Sequence, residues 1–152
     1  MRCEWPWLFA GNDRLRSKPH PATAHLACTD GPVLLSYAEI VTSEAMGPEG
    51  PIRVAGLSNV FTFPPYRHES LGSQIIRAAN SVIDQLQPEM AILFCQHELA
   101  QFYSALGWTK AAPGTIASTS DAPLCMVRHA STSGPDLVAK LQRTPLTLRT
   151  AW

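Results

Sequence analysis

The sequence predicts an α/β domain of the α+β type, in which a mixed, mostly antiparallel sheet is flanked by helices. One observation is the order of the predicted elements: hairpin, strand, helix, strand, helix, hairpin. A second is that an apolar strand from Ile52 to Phe63 leads almost directly into an amphipathic helix from Leu71 to Leu86. A third is size, because 152 residues with 45% hydrophobic content suffice for one domain with a real core.

Charge and hydropathy exclude several classes of protein. The 12 basic residues balance the 12 acidic ones, so no nucleic acid or anionic membrane is expected as a partner. The apolar runs are far shorter than the ~20 residues that a membrane span needs. The amino terminus lacks the apolar stretch of a signal peptide. We therefore expect a cytoplasmic protein.

The four cysteines, Cys3, Cys28, Cys95 and Cys125, show no metal-ligand spacing. Three of them fall in predicted strands, where a thiol behaves as a small hydrophobic side chain. We expect reduced core cysteines and no metal site.

The first half of the chain reads as a hairpin and a long strand. Residues 1–23 form a short amino-terminal region that is hard to assign. Strands are predicted over Ala24–Thr29 and Val33–Ser43, because the turn Asp30-Gly31-Pro32 separates them. Met46 to Pro51 contains two prolines and two glycines and is predicted to be a loop before the long strand.

The second half begins at Pro64-Pro65, which end the long strand because proline offers no N–H to a neighbouring strand. The helix that follows carries an apolar stripe formed by Leu71, Ile75, Ala78/Ala79, Val82 and Leu86, and it ends before Pro88. The later elements are a central strand at Ala91–Cys95, a helix over His97–Leu106 capped by Gly107, and a closing hairpin of Thr115–Thr119 and Leu124–His129. The whole chain, 1–152, is one domain with a core over 24–129, and 130–152 are a tail or an extra strand.

The junction between the long strand and the helix, Tyr66 to Ser73, is a candidate anion site. Such a turn leaves backbone N–H groups unpaired, with the positive end of the helix dipole behind them. The small residues Ser70, Gly72 and Ser73 allow close approach of a ligand, and Arg67 adds charge. The junction therefore suits a phosphate or pyrophosphate.

From Val60 to Ser73 the sequence follows the pattern V-x-T-x-P-x-Y-R-x-x-S-x-G-S. It resembles motif A of the GCN5-related N-acetyltransferases, the GNAT superfamily, written V-x-V-x-P-x-Y-R-x-x-G-x-G-S. A second segment, Phe102 to Trp108, resembles the FYxxLGF/W sequence after the fifth strand of that family. The resemblance covers roughly Ala24 to His129.

The resemblance implies a sheet that is splayed between the family's fourth and fifth strands, here Ile52–Phe63 and Ala91–Cys95, with acyl-CoA in the gap. Family members carry about twice as many residues before their second strand. The shortened region 1–23 therefore leaves the acceptor site open, built by a second subunit of a homodimer, or missing.

The resemblance also assigns roles to individual residues. It implies that acetyl-CoA is the cosubstrate. The strand end would pair with the pantetheine arm, a main-chain N–H there would polarise the thioester carbonyl, and the turn would hold the pyrophosphate. A further position, after the fifth strand, matches an asparagine that contacts the cofactor. These cofactor-binding residues are Val60, Phe61, Thr62, Arg67, His68, Glu69, Ser70, Leu71, Gly72, Ser73 and Gln96.

Tyr103 matches the tyrosine that family members place beside the CoA sulfur, as the general acid that protonates the thiolate. No general base is evident, because Ala91 stands where some relatives have a carboxylate. His25, Glu39, Glu44 or a water chain remain as alternatives.

Two functions follow from this reading. The first is an N-acetyltransferase that moves the acetyl group of acetyl-CoA to a small primary amine, by direct attack in a ternary complex. The second is a CoA-binding module without transferase activity, or a truncated GNAT protein that needs a partner chain.

Overall fold

The computed structural model describes residues 23–117, 124–129 and 145–148. The predictions for 1–22, for Cys3 and for most of 130–152 lie outside these ranges. The strands are β1 (Thr23–Asp30), β2 (Val33–Gly47), β3 (Gly50–Thr62), β4 (Met90–Cys95), β5 (Thr109–Lys110), β6 (Ile116–Ala117), β7 (Leu124–His129) and β8 (Leu146–Leu148). The helices are α1 (Leu71–Leu86) and α2 (Ala100–Ser104), and short 3-10 turns at Pro64–Tyr66 and His97–Leu99 precede them.

All eight strands join one sheet in the order β5-β7-β4-β3-β2-β8-β6, with β1 also paired to β2. The pairs β3–β4 and β6–β8 are parallel, and the other strand pairs are antiparallel. The predicted α+β class with a mixed, mostly antiparallel sheet is therefore confirmed. No helix in the described ranges combines the length and the apolar character needed to cross a membrane.

The hairpin of β2 and β3 is longer than predicted. The two strands pair from Ser36 and Thr62 as far as Gly47 and Gly50. The predicted loop at 46–51 is therefore wrong, since only Pro48 and Glu49 lie between the strands. Pro51 is tolerated because it stands near the start of its strand, where a missing N–H costs least.

Helix α1 has the predicted bounds, but its buried face is shifted from the predicted stripe. The side chains that face the sheet are those of Ile75, Ile76, Ala79, Asn80 and Ile83. Ala78 and Leu86 of the predicted stripe are exposed. The main core lies between this face of α1 and the adjacent face of the sheet, hereafter the inner face, to which Ala38, Ile40, Leu57, Leu93 and Met126 also contribute.

The carboxyl-terminal part of the fold corrects two predictions. The segment predicted as a helix over 97–106 is a 3-10 turn followed by the short α2. The predicted closing hairpin does not form, because β7 pairs with β4 and β5 while β6 pairs with β8. Within 130–152, Leu146–Leu148 form the short strand β8, which pairs with Ala45 and Met46 of β2.

A second apolar cluster covers the opposite face of the sheet, hereafter the outer face, at the end where β4 begins. Its buried members are Ala45, Val54, Met90, Ile92, Val127 and Leu146. Cys28, Cys95 and Cys125 are free thiols in strands, as predicted.

Candidate functional site

A β-bulge near the end of β3 sets up the candidate site. Ala38 of β2 lies opposite two residues of β3, Asn59 and Val60, because the register shifts between Tyr37 and Glu39. Asn59 has a φ of 50°. The extra residue reverses the alternation of the strand, so Val60 packs against the inner core although Val54, six residues earlier, belongs to the outer one.

Strands β3 and β4 pair over three residues each and then separate. The parallel pairing is limited to Val54, Ala55 and Gly56 with Met90, Ala91 and Ile92. Strand β3 continues to Thr62 and β4 to Cys95 without further pairing between them. A bulge bends its strand and increases the local twist, which accounts for the separation. The predicted splay between these two strands is confirmed.

The backbone of Thr62 faces this gap. The N–H of Phe63 donates to the carbonyl of Leu35 at 2.8 Å, so residue 63 is bonded to β2. Successive residues of a strand point their N–H groups to opposite edges. The N–H of Thr62 is therefore directed away from β2 and toward the gap, at the predicted position for pantetheine pairing. Phe61 beside it is buried and Val60 is half-buried.

The turn between β3 and α1 contains a run of unpaired amides. The N–H of Tyr66 donates to Phe63, and that of Arg67 donates to Pro64. The next bonded amide is Gln74, whose N–H donates to the carbonyl of Ser70 at 3.0 Å. Among the residues that the structure describes, none provides an acceptor for the N–H groups of residues 68–73. These are the amides that the sequence predicted to face an anion.

Two residues of this turn hold backbone angles that favour glycine. His68 has a φ of 68° and Ser70 a φ of 62°. Ser70 is the residue before the first turn of α1, and its side chain makes no capping hydrogen bond. A side chain in this left-handed region costs about 1–2 kcal/mol. The family motif has glycine where this chain has Ser70, and the positive φ gives the physical reason for that glycine.

The other predicted residues of the turn lie on its exposed rim or against the end of β3. His68, Glu69 and Ser70 are exposed, whereas Leu71, Gly72 and Ser73 are half-buried. The Nε–H of Arg67 donates to the carbonyl of Thr62 at 3.2 Å, which ties the guanidinium to the strand end. A β-carbon at Gly72 would lie 3.4 Å from Thr62 Oγ1 and 3.7 Å from Phe102 Cζ, so α1 approaches both closely.

Tyr103 lies in the inner core, on the α1 side of the sheet. Its side chain is 6% exposed, and its ring makes an edge contact with Phe102 at a centroid distance of 5.1 Å. No described residue hydrogen-bonds its hydroxyl. Burial raises the pKa of Tyr103 well above its usual value, and the nearby Cys95 thiol adds to the rise. The phenol therefore keeps its proton throughout the neutral range.

Gln96 follows directly on β4 and is exposed. Its carbonyl accepts a hydrogen bond from the N–H of Leu99 at 3.1 Å, and this bond forms the 3-10 turn before α2. The structure thus places Gln96 at the carboxyl end of β4, beyond the paired segment, while Cys95 beside it is buried.

The candidate bases fall on different faces of the sheet. His25 lies directly opposite Glu39 in the pairing of β1 with β2, and both side chains point to the outer face. The sequence reading missed two further residues of this group, Tyr37 and Asn59. Their side chains bond to His25 and to Glu39 respectively, both at 2.5 Å. Glu44 lies five residues further along β2 and lines a cavity of about 290 Å³ beside the end of α1.

A second cavity, of about 150 Å³, lies between β5, β7 and the segment before β6. Neither cavity touches the turn at residues 66–73. Within the part of the chain that the structure describes, no group of three or more His, Cys, Asp or Glu side chains is arranged to hold a metal ion.

No protein-family model matches the sequence, and no curated protein shows a significant match. Solved structures do match. Escherichia coli ElaA is 17% identical, with 84% of each chain covered and a TM-score of 0.62. A GNAT family N-acetyltransferase from Escherichia coli, YhbS, in complex with CoA, is 15% identical; 81% of this chain and 65% of that one are covered, at a TM-score of 0.61. The chain has the GNAT fold.

An aminoglycoside 6'-N-acetyltransferase complexed with coenzyme A also shares the GNAT fold. It is 10% identical to this chain, with 84% of this chain and 85% of that one covered, at a TM-score of 0.62. The identities are low, and the likeness therefore concerns the arrangement of strands and helices. The resemblance to the GNAT superfamily that the two sequence motifs indicate is confirmed at this level.

Proposed function

We propose that the protein is an acetyl-CoA-dependent N-acetyltransferase, which moves the acetyl group to a primary amine by direct attack in a ternary complex. The observation that carries the proposal is the run of unpaired amides at 68–73, which opens beside the gap between β3 and β4. Two of the similar structures, YhbS and the aminoglycoside 6'-N-acetyltransferase, are complexes with CoA.

The diphosphate of CoA binds to the amides of His68 to Ser73 and to the positive end of α1. Each charge–dipole contact is worth only about 0.3–1 kcal/mol, so several amides act together. Arg67 adds a full positive charge at the rim of this turn. Gln96, at the end of β4, contacts the cofactor from the other side of the gap.

The pantetheine arm lies in the gap and pairs with Val60, Phe61 and Thr62 like an added strand. The N–H of Thr62 is directed into the gap and donates to the thioester carbonyl oxygen. A preorganised donor at this position stabilises the oxyanion of the tetrahedral intermediate, where charge develops. The work is done by the backbone, so threonine in place of the family's valine does not impair it.

Tyr103 acts on the leaving group. The neutral amine attacks the carbonyl carbon, the carbon–sulfur bond breaks, and the phenol donates its proton toward the sulfur as CoA thiol leaves. The acetylated nitrogen loses one proton, which restores the phenol directly or through solvent. Because burial raises the pKa of Tyr103, the phenol is a weak acid that is always protonated. It is therefore in its proton-donating form when negative charge develops on the sulfur.

Calorimetry with acetyl-CoA, followed by an assay of free thiol with a panel of primary amines, tests the proposal. We expect binding at one site per chain and thiol release that depends on the amine. Binding without thiol release from any amine would favour the CoA-binding module. Failure to bind acetyl-CoA would remove both functions.

Arg67→Ala tests the location of the cofactor. Loss of one charged hydrogen-bond donor is expected to weaken acetyl-CoA binding about tenfold. The matched control is Arg77→Ala, which removes the same charge from an exposed position two turns into α1 and should leave the affinity almost unchanged. Equal effects of the two substitutions would place the diphosphate elsewhere.

Tyr103→Phe tests the acid. We expect kcat to fall while the affinity for CoA stays within twofold, because the hydroxyl acts on the leaving sulfur and not on the bound cofactor. An unchanged kcat would remove Tyr103 from the mechanism.

A further inference from the structure

We propose that Ser36 is a positioning residue for the acetyl transfer. Through a chain of hydrogen bonds that begins at the hydroxyl of Thr62, Ser36 fixes and polarises the peptide group whose N–H faces the thioester. This inference rests on the proposed function and deepens it, because it names the side chains that make the backbone donor effective. Ser36 acts through the backbone and does not itself touch the cofactor.

The hydroxyls of Ser36 and Thr62 lie side by side at the end of the hairpin. The two residues are directly opposite each other in the pairing of β2 with β3, so their side chains share one face of the sheet. The first turn of α1 covers them, since a β-carbon on Gly72 would lie 3.4 Å from Thr62 Oγ1. Ser36 is 0% exposed although it is polar. Its hydroxyl must therefore find its partners within the protein.

The direction of each hydrogen bond in this pair follows from a count of protons. Ser36 Oγ donates to the carbonyl of Phe61 at 2.8 Å, and it lies 3.0 Å from Thr62 Oγ1. A serine hydroxyl has a single proton to donate. Because that proton is bound to the carbonyl of Phe61, Thr62 is the donor in the contact between the two hydroxyls. The chain of hydrogen bonds thus runs from Thr62 to Ser36 and ends on the carbonyl of Phe61.

The carbonyl at the end of this chain belongs to the same peptide group as the N–H of Thr62. A peptide group is planar and trans, so a carbonyl that points to β2 directs the N–H to the opposite side, toward the gap. The bond from Ser36 therefore holds the N–H in place as well. Hydrogen bonds in a chain polarise one another, most strongly where the surroundings exclude water. The N–H of Thr62 is thereby a better donor to the oxyanion than an isolated strand amide.

The carbonyl to which Ser36 is bonded separates this role from a purely structural one. A buried serine is equally stable on any nearby carbonyl, whereas this one shares its peptide group with the donor in the gap. The family motif has valine at the position of Thr62. Valine has nearly the same shape as threonine but no hydroxyl, so the first donor of the chain is a property of this sequence.

The test is infrared difference spectroscopy of acetyl-CoA, labelled with ¹³C at the thioester carbonyl and bound to the full chain without an amine. In the wild type the carbonyl band should lie at a lower wavenumber than that of free acetyl-CoA, because a hydrogen-bond donor weakens the C=O bond. Ser36→Ala should make this shift smaller and leave the affinity for acetyl-CoA, measured by calorimetry, unchanged. Thr62→Val should have a weaker effect in the same direction.

Turnover of an amine that the wild type acetylates gives the second readout. An oxyanion donor is worth about 10²- to 10³-fold in kcat, and a chain bond strengthens its neighbour by about 10–30%, so loss of that bond should lower kcat between about twofold and eightfold. We expect this fall in Ser36→Ala, with KM for acetyl-CoA unchanged.

The matched control is Thr115→Val. Thr115 is 6% exposed and its hydroxyl donates to the carbonyl of Ala112 at 2.7 Å, beside the second cavity and away from the gap. The control therefore removes a buried hydroxyl of the same kind and should keep the wild-type band and kcat. If Ser36→Ala kept them too, or if Thr115→Val changed them equally, the proposal would be overturned.

Thr62→Val keeps the β-branched shape of the side chain, so it decides the question even if Ser36→Ala does not fold. A wild-type carbonyl band in Thr62→Val would then overturn the proposal. Thiol release by the wild type is measured separately. An unshifted band in a wild type that acetylates amines would overturn this inference alone, whereas failure to bind acetyl-CoA would overturn the proposed function and this inference together.

Discussion

Asn80 connects helix α1 to the segment after α2, and its replacement by alanine should destabilise the fold strongly. The side chain is 8% exposed. Its Nδ2 donates to the carbonyl of Leu106 at 2.9 Å, and its Oδ1 accepts from Trp108 Nε1 at 3.1 Å. Trp108 is 1% exposed, so in Asn80→Ala its indole N–H would lose its partner in a place that water does not reach.

The magnitude follows from these two contacts. A buried donor or acceptor left without a partner costs about 1–3 kcal/mol, so two of them cost about 3 kcal/mol together. For a chain of this size each kcal/mol lowers Tm by about 2–4 °C. We therefore expect Asn80→Ala to lower Tm by about 6–12 °C, which follows from the same conversion.

Urea denaturation followed by tryptophan fluorescence and by circular dichroism measures this change. Ser81→Ala is the control, because Ser81 is exposed and, among the described residues, its hydroxyl bonds only to the carbonyl of Arg77 in the same helix. Trp108→Phe and the double variant with Asn80→Ala complete a mutant cycle, in which a coupling of about 1 kcal/mol is expected. If Asn80→Ala were as stable as Ser81→Ala, or if the coupling were zero, the argument that this polar pair joins the helix to the sheet would be refuted.

Two further predictions concern the backbone of the turn and the buried phenol. Ser70→Gly should stabilise the fold by about 0.5–1 kcal/mol, because glycine adopts the φ of 62° without strain. The control Ser73→Gly, in the helical first turn, should destabilise the fold by a similar amount. Urea denaturation measures both variants, and a loss of stability in Ser70→Gly would contradict the strain argument. Tyr103 has an ordinary pKa of 10.0 when the chain is unfolded and a raised pKa when it is folded, so its contribution to stability is complete below pH 10 and is lost as the pH rises further. Above pH 10 the free energy of unfolding of the wild type should therefore fall by up to about 1.4 kcal/mol per pH unit more than that of Tyr103→Phe. If the free energies of unfolding of the two proteins changed in parallel with pH, the burial of the phenol would be refuted.

The sequence predicts an element of the fold well where the residues of that element alone show a clear hydrophobic periodicity. Helix α1 was predicted with the correct bounds because its periodicity is strong and Pro88 follows it. The buried face was misplaced because Asn80, a polar residue, belongs to it and Leu86 does not. The strands β6 and β8 have two and three residues, and such short runs are defined by their partners and not by their own residues.

The residues of the candidate site are likewise predictable where they are close in sequence and not predictable where separate strands bring them together. The sequence predicts the turn and Tyr103 as site residues because each lies within a short segment that matches a family motif. The group around Glu39 comes from three strands, and it depends on the register of β1 with β2 and on the bulge of β3. Asn59 could have been suspected, since asparagine is among the residues that most readily adopt a positive φ. No pattern in one segment shows that it meets Glu39.

The pairing of β8 with β2 has a consequence for how the chain reaches its native state. Leu148 pairs with Ala45, a contact that spans on the order of 100 residues and closes a large loop. Contacts of this separation slow folding, and in a chain emerging from the ribosome that edge of β2 stays without its β8 partner until residues 146–148 have been synthesised. During that interval the unpaired edge near Ala45 is open to pairing with a chaperone or with another nascent chain.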